Sequence, residues 1–415
     1  MTELRDAPSS RTPALIPAQA GRRGGRGARR RFAILGSRGY PSTYGGFETF
    51  VRRFAPYLVA QGHDVTVYGR DAARADVPEM IDGVRVVHTR GVESRSASTL
   101  SFGRSSARHA ARTGYDAALV LNCAMGYWLP TLRAAGIPTL LNTDGIEWER
   151  DKWSALGKRV FRTGAQLSAR WADRLVADSA AIKTYWQQHF DVDPVFIPYG
   201  ADVLPDLPHD RLDDFRLTPG SYVLVVARLV PENSVDLTLA ALRRTRTRHT
   251  VVVVGSAVPG DPIEAQLREL GHGLDVRWLG HVADQGLLEQ LWQHCGVYVH
   301  GHSVGGTNPG LLQALGAGSP TLALDTPFNR EVLADAAPTY RRDPAELAEH
   351  IDRVLGDPAR RAELSARGRD VVRRRYHWDD VCEDYLAELD ALARVRSART
   401  VRSPAWAASG LTSFA

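Results

Sequence analysis

The stretch Gly296-Val-Tyr-Val-His300-Gly-His302-Ser-Val-Gly305-Gly306-Thr307-Asn308-Pro309-Gly-Leu-Leu-Gln313-Ala-Leu-Gly-Ala-Gly-Ser-Pro320 runs from strand through glycine loop to helix start and helix stop. Each part has its own physical signature. Gly296 to His300 is strand-like, Gly305-Gly306 lets the backbone approach a ligand closely, Asn308 can cap, and Pro309 takes the favoured first helical position. A helix that begins this way points free amides and the positive end of its dipole at whatever sits above it. The arrangement suits an anion. An ordinary strand-to-helix turn is the alternative for these residues alone, and the remainder of the chain has to separate the two.

On the N-terminal side the same alternation recurs. From Arg31 onward, short apolar runs at 32–35, 64–68, 84–87, 117–121, 138–141, 174–177 and 195–197 alternate with amphipathic segments. Strands alternating with helices imply parallel α/β units joined by crossovers. Between the first two strands a helix is expected from about Phe47 to Gln61, with Phe50, Val51, Phe54 and Leu58 on one face, Gly62 as its stop and a kink at Pro56. A second series of strands, at 222–226, 250–254, 276–279, 297–300 and 321–324, follows a Pro- and Asp-rich link. The expected fold is therefore α/β, with two Rossmann-like domains facing each other across a cleft. Its parts are a disordered basic tail (1–30), an acceptor-side domain (31–203), a linker (204–219), a second domain (220–377), a terminal helix (378–394) and a disordered tail (395–415). Open α/β sheets bind ligands beyond the carboxyl ends of their strands, so the cleft is the expected site.

Composition narrows the function. A chain of 415 residues is longer than one core usually grows, and 44% hydrophobic content is ordinary for a soluble protein. The formal charge is +5, but residues 1–31 hold eight Arg against Glu3 and Asp6, and 394–415 add four Arg and no acid. The region between is net negative, near −5. Basicity confined to the tails argues against nucleic acid as a partner and against a basic recognition face on the folded part. The Arg-rich run at 21–31 reads as a solvated arm, with peripheral contact to an anionic membrane as the minority reading. Cys123, Cys295 and Cys382 have no metal-ligand spacing and read as free thiols of a reducing compartment. The uncharged segment 117–132 is too short to span a membrane, and no apolar signal-peptide core stands at the N-terminus. The expected location is the cytoplasm, with the inner face of the membrane as the alternative.

Three groups beside the opening stretch can carry chemistry. Gly36-Ser-Arg-Gly39-Tyr-Pro-Ser-Thr-Tyr-Gly45-Gly46-Phe-Glu48 is a glycine-rich loop running into a helix, and it is not the dinucleotide fingerprint. That fingerprint needs three closely spaced glycines and an acid after the second strand, where this chain has Gly69-Arg70. Arg228, just past a strand end in Tyr222-Val-Leu-Val-Val-Ala-Arg228-Leu-Val-Pro-Glu-Asn233, can meet a phosphate with a forked pair of charged hydrogen bonds. Past another strand end, Asp144-Gly-Ile-Glu147-Trp148-Glu-Arg150 offers a carboxylate for a sugar hydroxyl and an indole face for sugar packing. A plain connecting loop, an idle surface arginine and a solvated helix start are the corresponding bland readings. His300 and His302 flank the anion loop without partners at metal spacing; one of them could donate to a phosphate.

In this order the motifs make the chain, from Arg31 to about Arg394, resemble a bacterial glycosyltransferase of family four. Within that family it is most similar to the rhamnosyltransferase-type branch. The branch opens with Gly-x-Arg-Gly-x-Pro and then Tyr-Gly-Gly-Phe-Glu, which stand here as Gly36-Ser-Arg-Gly39-Tyr-Pro41 and Tyr44-Gly-Gly-Phe-Glu48. Further matches are Asp144-Gly-Ile-Glu-Trp148 with Lys152-Trp153, Ala177-Asp-Ser179, Ile197-Pro-Tyr-Gly200, Arg228-Leu-Val-Pro-Glu-Asn233 and His302-Ser-Val-Gly-Gly-Thr-Asn-Pro309. The resemblance implies a GT-B fold, transfer without a bound metal or separate cofactor from a nucleotide-diphosphate sugar, and retention of the anomeric configuration. Positive charge and helix amides would neutralise the leaving diphosphate. The donor's own phosphate would take the acceptor proton.

Carried over by position, Asp144 and Arg228 are the catalytic candidates. Gly45, Gly46, Asn233, Gly305, Gly306, Thr307, Asn308 and Gln313 fall on the donor, and Glu147 and Trp148 on the acceptor side. The implied activity moves a sugar, rhamnose in this branch, to a glycan or lipid-linked acceptor in cell-surface polysaccharide synthesis; hexoses on uridine diphosphate stay open. The chain departs from the broad family at two Glu positions eight apart, which here are Gly305 and Gln313, and at a lysine that is Asn233. A non-catalytic sugar-nucleotide-binding protein is therefore the second reading. A nicotinamide oxidoreductase is disfavoured by the missing fingerprint, and acceptor choice is expected from first-domain loops such as 91–106.

Overall fold

The protein is described here by a computed structural model covering residues 28–41, 46–70, 79–92, 98–150 and 153–402. Fourteen strands among these residues form two sheets. The first contains β1 (Arg31–Leu35), β2 (Asp64–Gly69), β3 (Glu79–Ile81), β4 (Val84–His88), β5 (Ala117–Leu121), β6 (Thr139–Asn142), β7 (Arg174–Ala177) and β8 (Val195–Phe196). The second contains β9 (Tyr222–Val226), β10 (Thr250–Val254), β11 (Val276–Gly280), β12 (Val297–His300), β13 (Thr321–Leu324) and β14 (Thr339–Tyr340). Their orders are β3-β4-β2-β1-β5-β6-β7-β8 and β11-β10-β9-β12-β13-β14. All pairs are parallel except β3 with β4. The expected strands are all present, and the α/β architecture is that of two Rossmann-like sheets. Two edge strands, β3 and β14, escaped the sequence because runs of three and two residues carry no readable period.

Burial explains why the inner strands read as continuous apolar runs. Every residue of β5 is buried, as in β12 and β13, because helices cover both faces of a parallel sheet. Each sheet reverses its strand order once, between β1 and β5 and between β9 and β12. Those reversals open the crevices where α/β folds hold ligands. The loops after β1, β5, β9 and β12 therefore position the site.

The first helix runs Gly46–Ala60 and continues through Pro56. The last runs Trp378–Arg402, past the Arg394 at which the sequence ends it, so the expected disorder from 395 begins too early; residues 403–415 lie outside the described ones. Its buried Val381, Tyr385 and Leu389 recur at four-residue spacing and make one apolar stripe. That stripe packs on the first sheet: the Tyr385 ring lies tilted 4.6 Å from that of Phe50, and its hydroxyl accepts a 2.7 Å hydrogen bond from Asn142 Nδ2. The chain thus crosses from the second domain back to the first, a tertiary choice that amphipathicity alone leaves open.

The expected N-terminal tail is also shorter than its stated end. Arg29 pairs with Asp64 at 2.5 Å and Arg30 with Asp390 at 3.1 Å, while residues 1–27 lie outside the described ones. The stretch proposed as a linker is packed: it contains a 3-10 turn at Asp210–Phe215 with Leu212 fully buried. The 91–106 stretch read as a loop is helical from Ser98, within a helix that runs Ser98–Thr113. All three cysteines are free and buried.

Candidate functional site

In the second domain the opening stretch folds as its residues imply. β12 ends at His300, the Asn308 side chain accepts the Gly310 amide at 2.9 Å, and the helix runs Pro309–Ala317 to a left-handed Gly318. Gly305 lies at φ +136°, a conformation that side chains disfavour. The loop is tied to its neighbour across the strand-order reversal. Ser303 donates both its backbone N–H and its hydroxyl to the Glu232 carbonyl at 2.9 Å, and Asn233 Nδ2 donates to the Arg228 carbonyl at 2.8 Å. Asn233 is thus a buried fastener of the Arg228 loop, and Arg228 stands exposed at the rim. Asn308 likewise uses its side chain as a cap, accepting the Gly310 amide.

His300 and His302 stack with ring centres 4.2 Å apart. His300 is fully buried and takes a hydrogen bond partner in the Tyr298 hydroxyl at 2.9 Å. Burial pushes the His302 ring down to about 3, assisted by Arg228 and Arg150. Burial likewise holds His300 well below the usual imidazole range, with His302 beside it. Both rings are neutral at pH 7, so neither supplies a positive charge to an anion. A neutral ring N–H remains available as a donor.

In the first domain, two acids follow adjacent strands. Asp144, past β6, is left-handed at φ +60° and fixed on all sides. Its N–H donates to Asn142 Oδ1 at 2.9 Å, its Oδ1 accepts from the Gly145 amide at 2.8 Å, and its Oδ2 accepts from Asn122 Nδ2 at 2.8 Å. Asp178, directly past β7, is 3% exposed, and its Oδ1 has no hydrogen-bond partner. Burial first, then the charges of Asp144 and Glu331, push its carboxyl up to about 8, against a lowering by Arg150. At neutral pH this acid is largely protonated.

Glu147 and Trp148 are both buried and partnered inside the first domain. Glu147 is buried, accepting Trp153 Nε1 at 2.9 Å and lying 2.8 Å from Arg150 Nε. Trp148 is 8% exposed, donates Nε1 to the Tyr185 hydroxyl at 3.1 Å and meets Phe190 edge-on. An indole whose single N–H is satisfied inside gains more from burial than from display. Sequence reasoning passed over Arg150 and Asp178, although both stood within motifs it quoted. Arg150 is half-buried, and its guanidinium lies 3.1 Å from where a side chain at Gly145 would begin.

The two domains meet through these loops. A Cβ on Gly145 would lie 3.5 Å from the Gly305 Cα, and one on Gly46 would lie 3.2 Å from the Pro309 ring. A Cβ on Gly306 would strike Asp178 Oδ1 at 2.0 Å. Thr307, buried, donates its hydroxyl to the Asp178 carbonyl. Glu331 of the second domain accepts the Ala180 amide at 2.8 Å. The helices beginning at Gly46 and Pro309 thus bring their N-termini together, with Arg228 and Arg150 nearby. Gly45 lies outside the described residues, and Gln313 is half-buried on the Pro309–Ala317 helix. Among the described residues no group of three or more His, Cys, Asp or Glu could hold a metal ion.

Comparison with known proteins identifies the family and the fold. The family described as "Glycosyltransferase Family 4" matches residues 44–203, and "Glycosyl transferases group 1" matches 215–371. A D-inositol 3-phosphate glycosyltransferase of Frankia alni is 27% identical over 78% of this chain and 88% of its own. A phosphatidyl-myo-inositol mannosyltransferase of Mycobacterium leprae is 28% identical over 54% of this chain and 61% of its own. Among solved structures, sucrose-phosphate synthase of Thermosynechococcus elongatus superposes with a TM-score of 0.76 at 18% identity, over 88% of this chain and 100% of its own. HepE of Anabaena, solved in complex with UDP-glucose, gives 0.68 at 18% identity over 88% and 100%.

Proposed function

Since this chain belongs to glycosyltransferase family 4 and has the GT-B fold, we propose that it transfers a sugar with retention of configuration to a glycan or lipid-linked acceptor in cell-surface polysaccharide synthesis. That it is a glycosyltransferase acting on a nucleotide-sugar donor follows from the family. The observation that carries the finer reading is the convergence of two helix N-termini, at Gly46 and Pro309, next to a loop whose His302 feels the charges of both Arg228 and Arg150. Free amides, helix dipoles and guanidinium groups together complement a diphosphate, whose negative charge grows as it leaves.

In this reading Arg228 forks onto the diphosphate, the amides from Gly305 to Asn308 line it, and Asp144 faces the reacting centre. Gly306 and Thr307 hold the loop on Asp178, Asn233 fastens the Arg228 loop, and Gly46 begins the opposing helix. Arg150 adds the second cation. Rhamnose on a deoxythymidine diphosphate carrier is the proposed donor on the strength of the branch motifs. Peripheral contact with the membrane at the cytoplasmic face belongs to the same reading, since lipid-linked acceptors reside there. Among the described residues no helix is long and apolar enough to cross a membrane.

Incubation of the pure protein with a panel of sugar nucleotides and lipid-linked acceptors tests this. Turnover or slow donor hydrolysis with one donor is expected. Binding without either, across the whole panel, supports the second reading, a sugar-nucleotide-binding protein, which Gln313 motivates by leaving the helix without its carboxylate. Gln313→Glu should keep or tighten donor affinity, and a large loss in calorimetry would show a glutamine adapted to its ligand.

A further inference from the structure

The edge of a sheet presents a row of unpaired backbone groups, and proteins blunt such edges by keeping the outer strands short, charged or interrupted by proline. Among the described residues the outermost strands of the two sheets are β3, β8, β11 and β14, which hold three, two, five and two residues. β11 is the long one. It contains neither Lys nor Pro, and its register shift against β10 falls at its far end, beside Gly280. All five of its residues are half-buried, where every residue of β12 and β13 is buried.

The two-residue period of a strand sorts the groups along this edge. Asp275 turns its backbone inward, its carbonyl accepting the Val251 amide at 2.8 Å. Val276 and Trp278 therefore turn theirs outward, and the Val276 amide meets the Leu274 carbonyl of its own turn at 3.2 Å. The side chains of Leu274, Val276 and Trp278 pack against the core that contains Leu267, while Leu279 packs against the core of the opposite face. On that opposite face Arg277 and Asp275 form an ion pair at 2.6 Å, with side chains 38% and 45% exposed. A Cβ on Gly271 would lie 3.2 Å from Trp278 Cζ2, so the turn at Leu270, itself 45% exposed, adjoins the indole.

We propose that β11 pairs with the β11 of a second copy of this chain, antiparallel about a two-fold axis through Val276, joining the two second-domain sheets edge to edge. In that register Val276 faces its own counterpart, Leu274 faces the partner's Trp278, and Asp275 faces the partner's Arg277. The outward backbone groups are the ones that meet. Apolar side chains oppose apolar ones on one face, and opposite charges meet twice on the other. Sliding the axis by one residue would set Arg277 against Arg277, or Asp275 against Asp275, and like charges directly opposite are destabilising. Charge thus selects both the register and the partner, since this strand is its own complement. The contact is isologous and closes on itself as a dimer. Antiparallel pairing points the carboxyl ends of the two sheets in opposite directions. The site loops follow β9 and β12, inside the edge, so neither copy covers the other's cleft.

Light scattering of the full chain over a range of concentrations tests this. Wild type should be dimeric at micromolar concentration. Arg277→Asp, which sets Asp opposite Asp at both symmetric positions, should raise the dimer dissociation constant by about tenfold or more. The exchange D275R/R277D restores opposite charges in the same register and should return that constant to within about threefold of wild type. Donor affinity, measured on each form by calorimetry, should stay at the wild-type value and so report that the variants are folded. A wild-type chain that stays monomeric up to its solubility limit would overturn the proposal. So would a dimer that Arg277→Asp leaves intact, or one that the double exchange fails to restore.

Discussion

Asp144 and Asp178 follow neighbouring parallel strands of one sheet, yet the fold treats them in opposite ways. Asp144 has both oxygens occupied, by the Asn122 amide and the Gly145 N–H, and is held as a preset acceptor. Asp178 is buried, carries an orphan oxygen and faces Gly306 of the other domain. Its environment favours the neutral acid, which spares the cleft a second unneutralised charge. The same residue type, one strand apart, thus becomes a fixed polar group in one turn and a domain contact in the other. Residue type proposes a role, and solvation with neighbours decides it.

That contrast can be broken most forcefully at Asp178. Its weakened acidity means the folded state holds a proton that the unfolded state has lost, so stability falls as pH rises from about 4 to about 8 and then levels off. Asp178→Asn should therefore stabilise the protein by on the order of a few kcal/mol at pH 8, with the gain vanishing towards pH 4. Thermal unfolding across that range checks it, and a gain independent of pH would show that Asp178 is not the neutral acid. Arg228→Ala should weaken donor binding by about 1.5 to 3 kcal/mol, the range for charged hydrogen bonds, measured by calorimetry with the preferred donor. Unchanged affinity would remove Arg228 from the site.

Gly306→Ala should cost about 1 to 2 kcal/mol of stability by driving a methyl into the Asp178 carboxyl. The double variant with Asp178→Ala should recover part of that loss, since the clashing atoms are gone; additive losses in a double-mutant cycle would deny the contact. Smallest, Asn122→Ala should cost about 1 kcal/mol, the net value of one hydrogen bond, and should loosen Asp144 without the pH dependence seen at Asp178.

The loop and helix start before Pro309 were readable because every device in them is local. Asn308 caps the amide two residues on, Pro309 fixes its own backbone, and Gly318 ends the helix within a single turn. Strands such as β5 and β12 were readable because burial on both faces writes an apolar run into the chain. The burial of Trp148 and Glu147 was not readable, for the complementary reason. Their partners, Tyr185 and Phe190 for one and Arg150 and Trp153 for the other, include residues whose approach depends on how separate helices pack.

The charge balance of the region between the tails hid a local grouping in the same way. A net charge sums over the chain, whereas Arg90, Arg104, Arg108 and Arg112 meet only because a helix repeats every 3.6 residues beside the end of β4. Sequence by itself determined the two α/β series, the glycine loops at their strand ends and the family to which they belong. It did so because strand burial, capping and turn chemistry act between near neighbours. Tertiary structure alone decided that the last helix returns to the first sheet, that Asp178 supports Gly306 across the cleft, and that a basic flank exists. Those contacts join residues far apart in the chain, and no local pattern encodes which distant surface a side chain will meet.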